Sequence, residues 1–316
     1  MSTVQAAPTA GDSRTAGSRA WAGWAIAITA STCFSVATPV ARAVIVDGLD
    51  PTGLLVVRMG LATLLLGLTI GVTNPSLLRV DRRGFWIATV AGLFNAVGML
   101  GYFWGLKRIE ASMAAMIIAT SPIAVLSLLA LRGERVTYRH AVRLALALSG
   151  VYLLIGPGGQ VDLLGVFWVV VAIVTSAFQL VLLQWYLMGY DARTVTFYVL
   201  AAMTVGVSLM WWLEGAQAHR LGWEGWLAAL VLAVVSTYLS RLLLFNAVSR
   251  IGGGQVAMLS PVETLLTVVW SFLFLGERLS PLQWVGGLLI LTSAMLAIKR
   301  LGIARLRPRW RLWVKS

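Results

Sequence analysis

Phe103-Trp-Gly-Leu-Lys-Arg-Ile109 and Phe245-Asn-Ala-Val-Ser-Arg-Ile251 stand 142 positions apart, each near the end of a long apolar run. Further along, Arg132-Gly-Glu-Arg135 and Leu275-Gly-Glu-Arg278 repeat at an offset of 143. Between them Ala119-Thr-Ser-Pro122 answers Met258-Leu-Ser-Pro261 once a small gap is allowed, and Gly23 to Phe34 parallels Gly165 to Phe178. Chance likeness among apolar helices is the bland alternative. It is disfavoured because the match includes polar Gly-Glu-Arg turns, and polar residues near membrane spans are scarce. The chain therefore reads as two copies of one unit.

Working outward from the repeat, 59% of the 316 residues are hydrophobic and 12% are charged. A soluble domain carries about 25% charged residues, so there is too little polar surface here for a water-exposed globule. A soluble enzyme, a disordered chain and an ordinary nucleic-acid binder are excluded. A helix needs about 20 apolar residues to cross the hydrocarbon core, and ten segments qualify: 20–44, 51–72, 84–105, 112–131, 138–156, 163–188, 194–213, 223–247, 254–275 and 281–299. Charge-free stretches are long: 22 residues lie between Arg19 and Arg42 and 28 between Asp162 and Asp191. Arg58, Arg241 and Glu263 interrupt three of the segments.

The fold expected is an all-α integral membrane protein: ten transmembrane helices built as two inverted five-helix repeats, 20–156 and 163–300. An odd number of spans inverts the second copy, which is the plan of secondary transporters with a midplane site. Residues 1–19, small and polar, are expected to be disordered, with a cleaved signal peptide disfavoured by the length of the first apolar run. The tail 301–316 is basic and carries Trp310 and Trp313, suiting an anchor on anionic lipid. The net charge of +13 is spread over short gaps. With both termini cytoplasmic, 19 Lys/Arg fall inside and 5 outside, with Arg58 left over.

Resemblance sharpens this. Leu244-Phe-Asn-Ala-Val-Ser-Arg-Ile-Gly-Gly-Gly-Gln-Val-Ala-Met-Leu-Ser-Pro-Val-Glu-Thr264, followed by Phe274-Leu-Gly-Glu-Arg-Leu-Ser-Pro-Leu-Gln-Trp-Val-Gly-Gly-Leu-Leu-Ile290, resembles the second repeat of the drug/metabolite transporter superfamily, EamA group. The first repeat is similar but weaker, Arg143 standing where the second has Gly286. The likeness covers about residues 20–300, and within the group it is nearest to bacterial aromatic amino-acid exporters. It implies a multi-pass exporter of the bacterial inner membrane whose substrates are amino acids, aromatic ones foremost, or similar amphiphilic metabolites. The motif itself marks helix ends and packing. A nucleotide-sugar or lipid-linked-sugar carrier of the same superfamily is the near alternative, and a membrane scaffold without transport the distant one.

No enzyme constellation is present. His140 and His219 fall at opposite sides, and HExxH, the phosphate-loop lysine and GxSxG are missing from the sequence. The lone Cys33 excludes an internal disulfide and a cysteine metal site. No cofactor or metal is expected; the partners are a small-molecule substrate and the lipid bilayer, with no nucleic acid, and the oligomeric state is left open.

The resemblance places segments 3, 4, 8 and 9 at the centre. Candidate substrate-binding residues are Ser35, Asn95, Tyr102, Ser121, Phe178, Gln179, Tyr238, Ser260 and Glu263. For the small polar ones the plain alternative is glue between helices; for the aromatic ones it is lipid-facing surface. Glu263 lies about nine residues into its segment, or about 13 Å deep at the helical rise. An ionised acid there is costly and faces a cavity or a partner, so it is read either as a substrate or proton site or as a structural partner of Arg241 or Arg58. Arg58, about 10 Å from its span end, is expected to snorkel to the headgroups, with carboxylate binding the lesser reading. Pro122 and Pro261 are expected to kink or break their helices, and Gly252–Gly254 to flex.

Overall fold

The computed structural model describes residues 10–131, 138–155, 161–186, 189–215, 222–251, 256 and 259–303. Every element among them is helical: α1 (Ala10–Ser35), α2 (Ala37–Val46), α3 (Pro51–Thr73), α4 (Arg82–Leu106), α5 (Ala111–Ile118), α6 (Ser121–Leu131), α7 (Tyr138–Ile155), α8 (Leu163–Tyr186), α9 (Ala192–Leu213), α10 (Trp223–Leu230), α11 (Ser240–Ile251), α12 (Ser260–Leu275) and α13 (Pro281–Ile303). A π-helical stretch, Val231–Leu239, joins α10 to α11, and a 3₁₀ turn, Pro75–Leu78, precedes α4.

Six helical stretches are long and apolar enough to cross a membrane: Trp21–Val46, Pro51–Thr73, Arg82–Leu106, Leu163–Leu183, Ala192–Leu213 and Trp223–Ala247. Four shorter apolar helices, Ala111–Val125, Leu144–Leu154, Ser260–Leu275 and Pro281–Ser293, occupy the remaining four expected segments. Helix also begins earlier than expected. α1 starts at Ala10, ahead of the first apolar segment. The glycines expected to flex, 252–254, and the tail beyond 303 lie outside the described residues.

Aspartates start several of these helices. Asp50 accepts from the amides of Thr52 and Gly53, with Pro51 following; Asp81 accepts from Gly84 and Asp191 from Arg193. Each such cap contributes about 1 kcal/mol. Asp81 also accepts a 2.6 Å hydrogen bond from the Tyr190 hydroxyl, which holds its carboxyl below the usual range. Asp162, outside the spans, is lowered likewise by the hydrogen bond from Arg108.

Prolines break the helices that line the centre. Pro39 has no amide to offer the carbonyl of Ser35, and the first span is interrupted between α1 and α2. The freed Ser35 carbonyl accepts from Thr267 at 3.1 Å, and the Ser35 hydroxyl accepts from the Trp270 indole at 3.0 Å. Pro122 likewise frees the carbonyl of Ile118, where α5 ends; the Ser121 hydroxyl donates to it. Pro261 sits in the first turn of α12, where its missing amide costs least.

Packing partners repeat under exchange of the two halves. α1 packs on α11 as α8 packs on α4; α12 on α1 as α6 on α8; and α3 on α9 and α7 on α13 are pairs that map onto themselves. The same close approach occurs twice. A Cβ added to Gly23 would lie 2.5 Å from Ile251 Cγ2, and one added to Gly165 would lie 2.8 Å from Ile109 Cγ2. Both members of that contact are displaced by 142 positions, the offset read from the sequence.

Candidate functional site

Three charged side chains on the apolar spans, Arg58, Arg241 and Glu263, line one cavity of about 340 Å³. Its wall draws on both halves: Phe34, Thr38, Met99 and Phe103 from the first, Gln179, Met203 and Thr267 from the second. The proline break after Ser35 and the π stretch both fall beside it, so the irregular backbone of the bundle borders the cavity. Such backbone is tolerated at membrane depth where it lines a cavity or is buried in protein.

Arg58 is 2% exposed. Its Nε donates to Thr237 Oγ1 at 3.0 Å and an Nη to Ser236 Oγ at 3.4 Å, while its guanidinium carbon stands 5.7 Å from the centre of the Phe103 ring. This corrects the expectation that Arg58 snorkels outward. The π turn brings Ser236 and Thr237 within reach, and inward hydroxyl acceptors plus an aromatic face replace headgroup water. Both hydroxyls also donate to the Leu232 carbonyl, which leaves their lone pairs for the guanidinium.

Arg241 follows Thr237 by one helical turn. Its Nε is buried without a hydrogen-bond partner among the described residues. Glu263, half-buried on the first turn of α12, has no ion pair to Arg241, Arg58 or any other described residue. The Arg241–Glu263 pair expected from their shared span end is therefore not formed. α12 packs against α1, α2 and α5, whereas Arg241 belongs to the helix that packs on α1 from the π stretch side. Tyr102 donates or accepts at 3.0 Å with Thr38 and lines the same space.

Of the nine candidates, Asn95, Tyr102, Gln179 and Glu263 stand on the cavity wall. The other five are placed elsewhere. Ser35 is buried and tied to Trp270 and Thr32, Ser121 caps the broken helix at Ile118, and Ser260 gives its carbonyl to Thr264 at an exposed position. Phe178 is 40% exposed and stacks on Phe94; Tyr238 turns its hydroxyl to Thr69 at 2.7 Å. Ser35 and Ser121 thus follow the plainer reading of polar glue between or within helices. Thr38, Ser176, Thr237 and Thr267 are wall residues that the candidates omit. Thr38 stands beside Pro39, and Thr237 one turn before the interrupting Arg241; Ser176 and Thr237 are midplane polar residues of their segments by position alone.

At one end of the bundle the second Gly-Glu-Arg turn makes a cross-half junction. Gly276 closes α12 at φ 66°, a left-handed conformation that favours glycine. The Glu277 carboxylate then accepts from the amides of Ala111 and Ser112 at 2.8 and 2.9 Å and from the Ser112 hydroxyl at 2.7 Å, and pairs with Arg42 at 3.3 Å. Arg42 also donates to the Leu106 carbonyl. Glu110, in the same turn, is pushed up by burial and then by the charge of Glu277.

The EamA-like transporter family matches the chain twice, over residues 21–156 and 163–299. Among curated proteins, a "Probable terminal-alkyne amino-acid exporter" of Streptantibioticus cattleyicolor is 30% identical, over 88% of this chain and 93% of its own length. A transporter of Archaeoglobus fulgidus is 27% identical over 66% of this chain and 76% of its own length. A pseudopaline exporter of Pseudomonas aeruginosa is 24% identical over 75% and 82%. A solved crystal structure shares the fold at TM-score 0.59, covering 89% of this chain and 98% of that one at 22% identity.

Proposed function

The chain belongs to the EamA-like transporter family, and on that premise we propose that it exports amino acids, aromatic ones among them, or similar amphiphilic metabolites by alternating access. The observation that carries this reading is the charged cavity shared by both halves. Small-molecule sites of about 300 Å³ and upward are mostly apolar with a few placed polar groups, and this one has that character. The probable terminal-alkyne amino-acid exporter, a relative at 30% identity, supports the same substrate class. The two five-span repeats are taken as inverted about an axis in the membrane plane, with both termini cytoplasmic, as the Lys/Arg distribution favours. The Glu277 junction then lies at the outer end and the Asp81–Tyr190 contact at the inner one.

Asn95, Tyr102, Gln179 and Glu263 are proposed to contact the substrate directly. Proteoliposomes containing the purified protein and a panel of labelled amino acids test the reading. Efflux above protein-free liposomes for at least one member is expected. A correctly inserted protein that moves none of them removes the proposed function. Reporter fusions at residues 1 and 316 should both behave as cytoplasmic, and an outside signal from either ends the proposed topology.

A further inference from the structure

Burying an unpaired charge is costly, and removing one partner of a buried pair leaves an uncompensated charge worth several kcal/mol. The centre of this protein nevertheless holds two guanidiniums and one carboxylate on a shared cavity wall, with no ion pair among them in the described residues. The two cations share one side. Arg58 reaches Thr237 through its Nε, and Arg241 lies one turn further along the helix that carries Thr237. The partners of Arg58 are neutral hydroxyls, which orient the guanidinium without cancelling its charge. The buried Nε of Arg241 has none among the described residues. Glu263 projects from a different helix, α12, into the same cavity.

An arrangement with unfilled donors on one side and an unfilled acceptor on the other is completed by a molecule carrying the opposite groups. Guanidinium donors match a carboxylate in geometry and charge, and a carboxylate matches an ammonium. The wall also carries apolar side chains, Phe34, Met99 and Met203 among them, available to a substrate side chain. We infer that Arg58 and Arg241 form the seat for the substrate carboxylate and Glu263 the seat for its ammonium group, so that the cavity takes zwitterions and rejects cations. The surplus of one positive charge sets the order of preference: loss of the carboxylate from a substrate is worse than loss of its amine. This inference rests on the cavity being the transport site and goes beyond it in assigning charge selectivity to named residues.

The experiment uses the full-length protein in proteoliposomes. L-Phenylalanine, L-leucine and L-propargylglycine are each run beside the corresponding amide, which lacks the carboxylate, and the corresponding deaminated acid, which lacks the amine. For every amino acid that moves, the amide is expected to move about 10- to 100-fold more slowly, the range for losing hydrogen bonds to a charged group. The deaminated acid should fall between the two. Arg241→Gln should shrink the gap between amino acid and amide, and Arg241→Lys should restore part of it. If the amide moves as fast as its amino acid in the unsubstituted protein, the carboxylate seat is overturned while transport stands. If no amino acid moves at all, the proposed function falls, and the seat with it. Should Arg241→Gln fail to insert, the ratio in the unsubstituted protein still decides.

Discussion

At the scale of single residues, Glu263 separates a structural role from a transport role. The plain alternative is that it neutralises Arg241, and the structure shows no such pair among the described residues. Replacing the carboxylate with an amide keeps shape and removes charge. Glu263→Gln is therefore expected to lower export of a zwitterionic amino acid at least about tenfold, the scale of one charged hydrogen bond, while the protein still inserts. Adding Arg241→Met should not restore it. Normal transport in Glu263→Gln would reduce Glu263 to a packing residue, and rescue of folding by the double replacement would favour a pair formed in another state. Glu263 was legible from sequence because an acid nine residues into an apolar run has few outlets. Arg58 was misread for a physical reason. A long side chain about 10 Å from a span end can reach the headgroups; only the π turn, which no local pattern announces, presents the hydroxyls of Ser236 and Thr237 that keep it inside.

Helices, as elements, are easier to read than the sites between them. Six of the ten expected segments hold helices long and apolar enough to cross a membrane, as apolar length alone implies, and the break at Pro122 follows from the missing proline amide. The break after Ser35 obeys the same rule through Pro39 and was overlooked because no charge interrupts the run from Ala20 to Ala41. The five candidates that miss the cavity were misplaced because a helix exposes every polar residue on some face, and a mean periodicity does not say which face meets the cavity. Glycines set how closely the elements approach. A Cβ on Gly92 would fall 2.6 Å from the Val199 carbonyl oxygen, a backbone atom of α9 that cannot swing away, whereas a Cβ on Gly60 meets nothing within 4 Å. Gly92→Leu should thus force α4 and α9 apart and destabilise by about 1–3 kcal/mol or more. Gly60→Leu should cost far less. Thermal unfolding in detergent distinguishes them: a clear fall in the midpoint for the first and little change for the second. Equal effects would mean that the α4–α9 approach does not limit stability.

For the whole molecule, the proposed alternating access requires two conformations of comparable energy. Helix pairs that repeat under exchange of the halves suit that requirement, since a contact between one pair has a counterpart in the other. Contacts that cross between the halves tip that balance. The Glu277 junction is one, since its carboxylate is on the second half and Arg42, Ala111 and Ser112 are on the first. Its side chain is 7% exposed, so its bonds are screened little by solvent. Glu277→Gln swaps one acceptor oxygen for an amide group that cannot accept, which leaves a backbone or hydroxyl donor unpaired at a cost of about 1–3 kcal/mol. By population arithmetic a bias of about 1.4 kcal/mol changes the ratio of two states tenfold. Spin labels placed on the 47–50 turn and the 278–280 turn should accordingly report a larger population of long distances in Glu277→Gln than in the parent protein. Glu277→Asp, which keeps the charge on a shorter arm, should fall between. An unchanged distance distribution in both variants would show that the junction only caps α5 and does not hold the two halves together at that end.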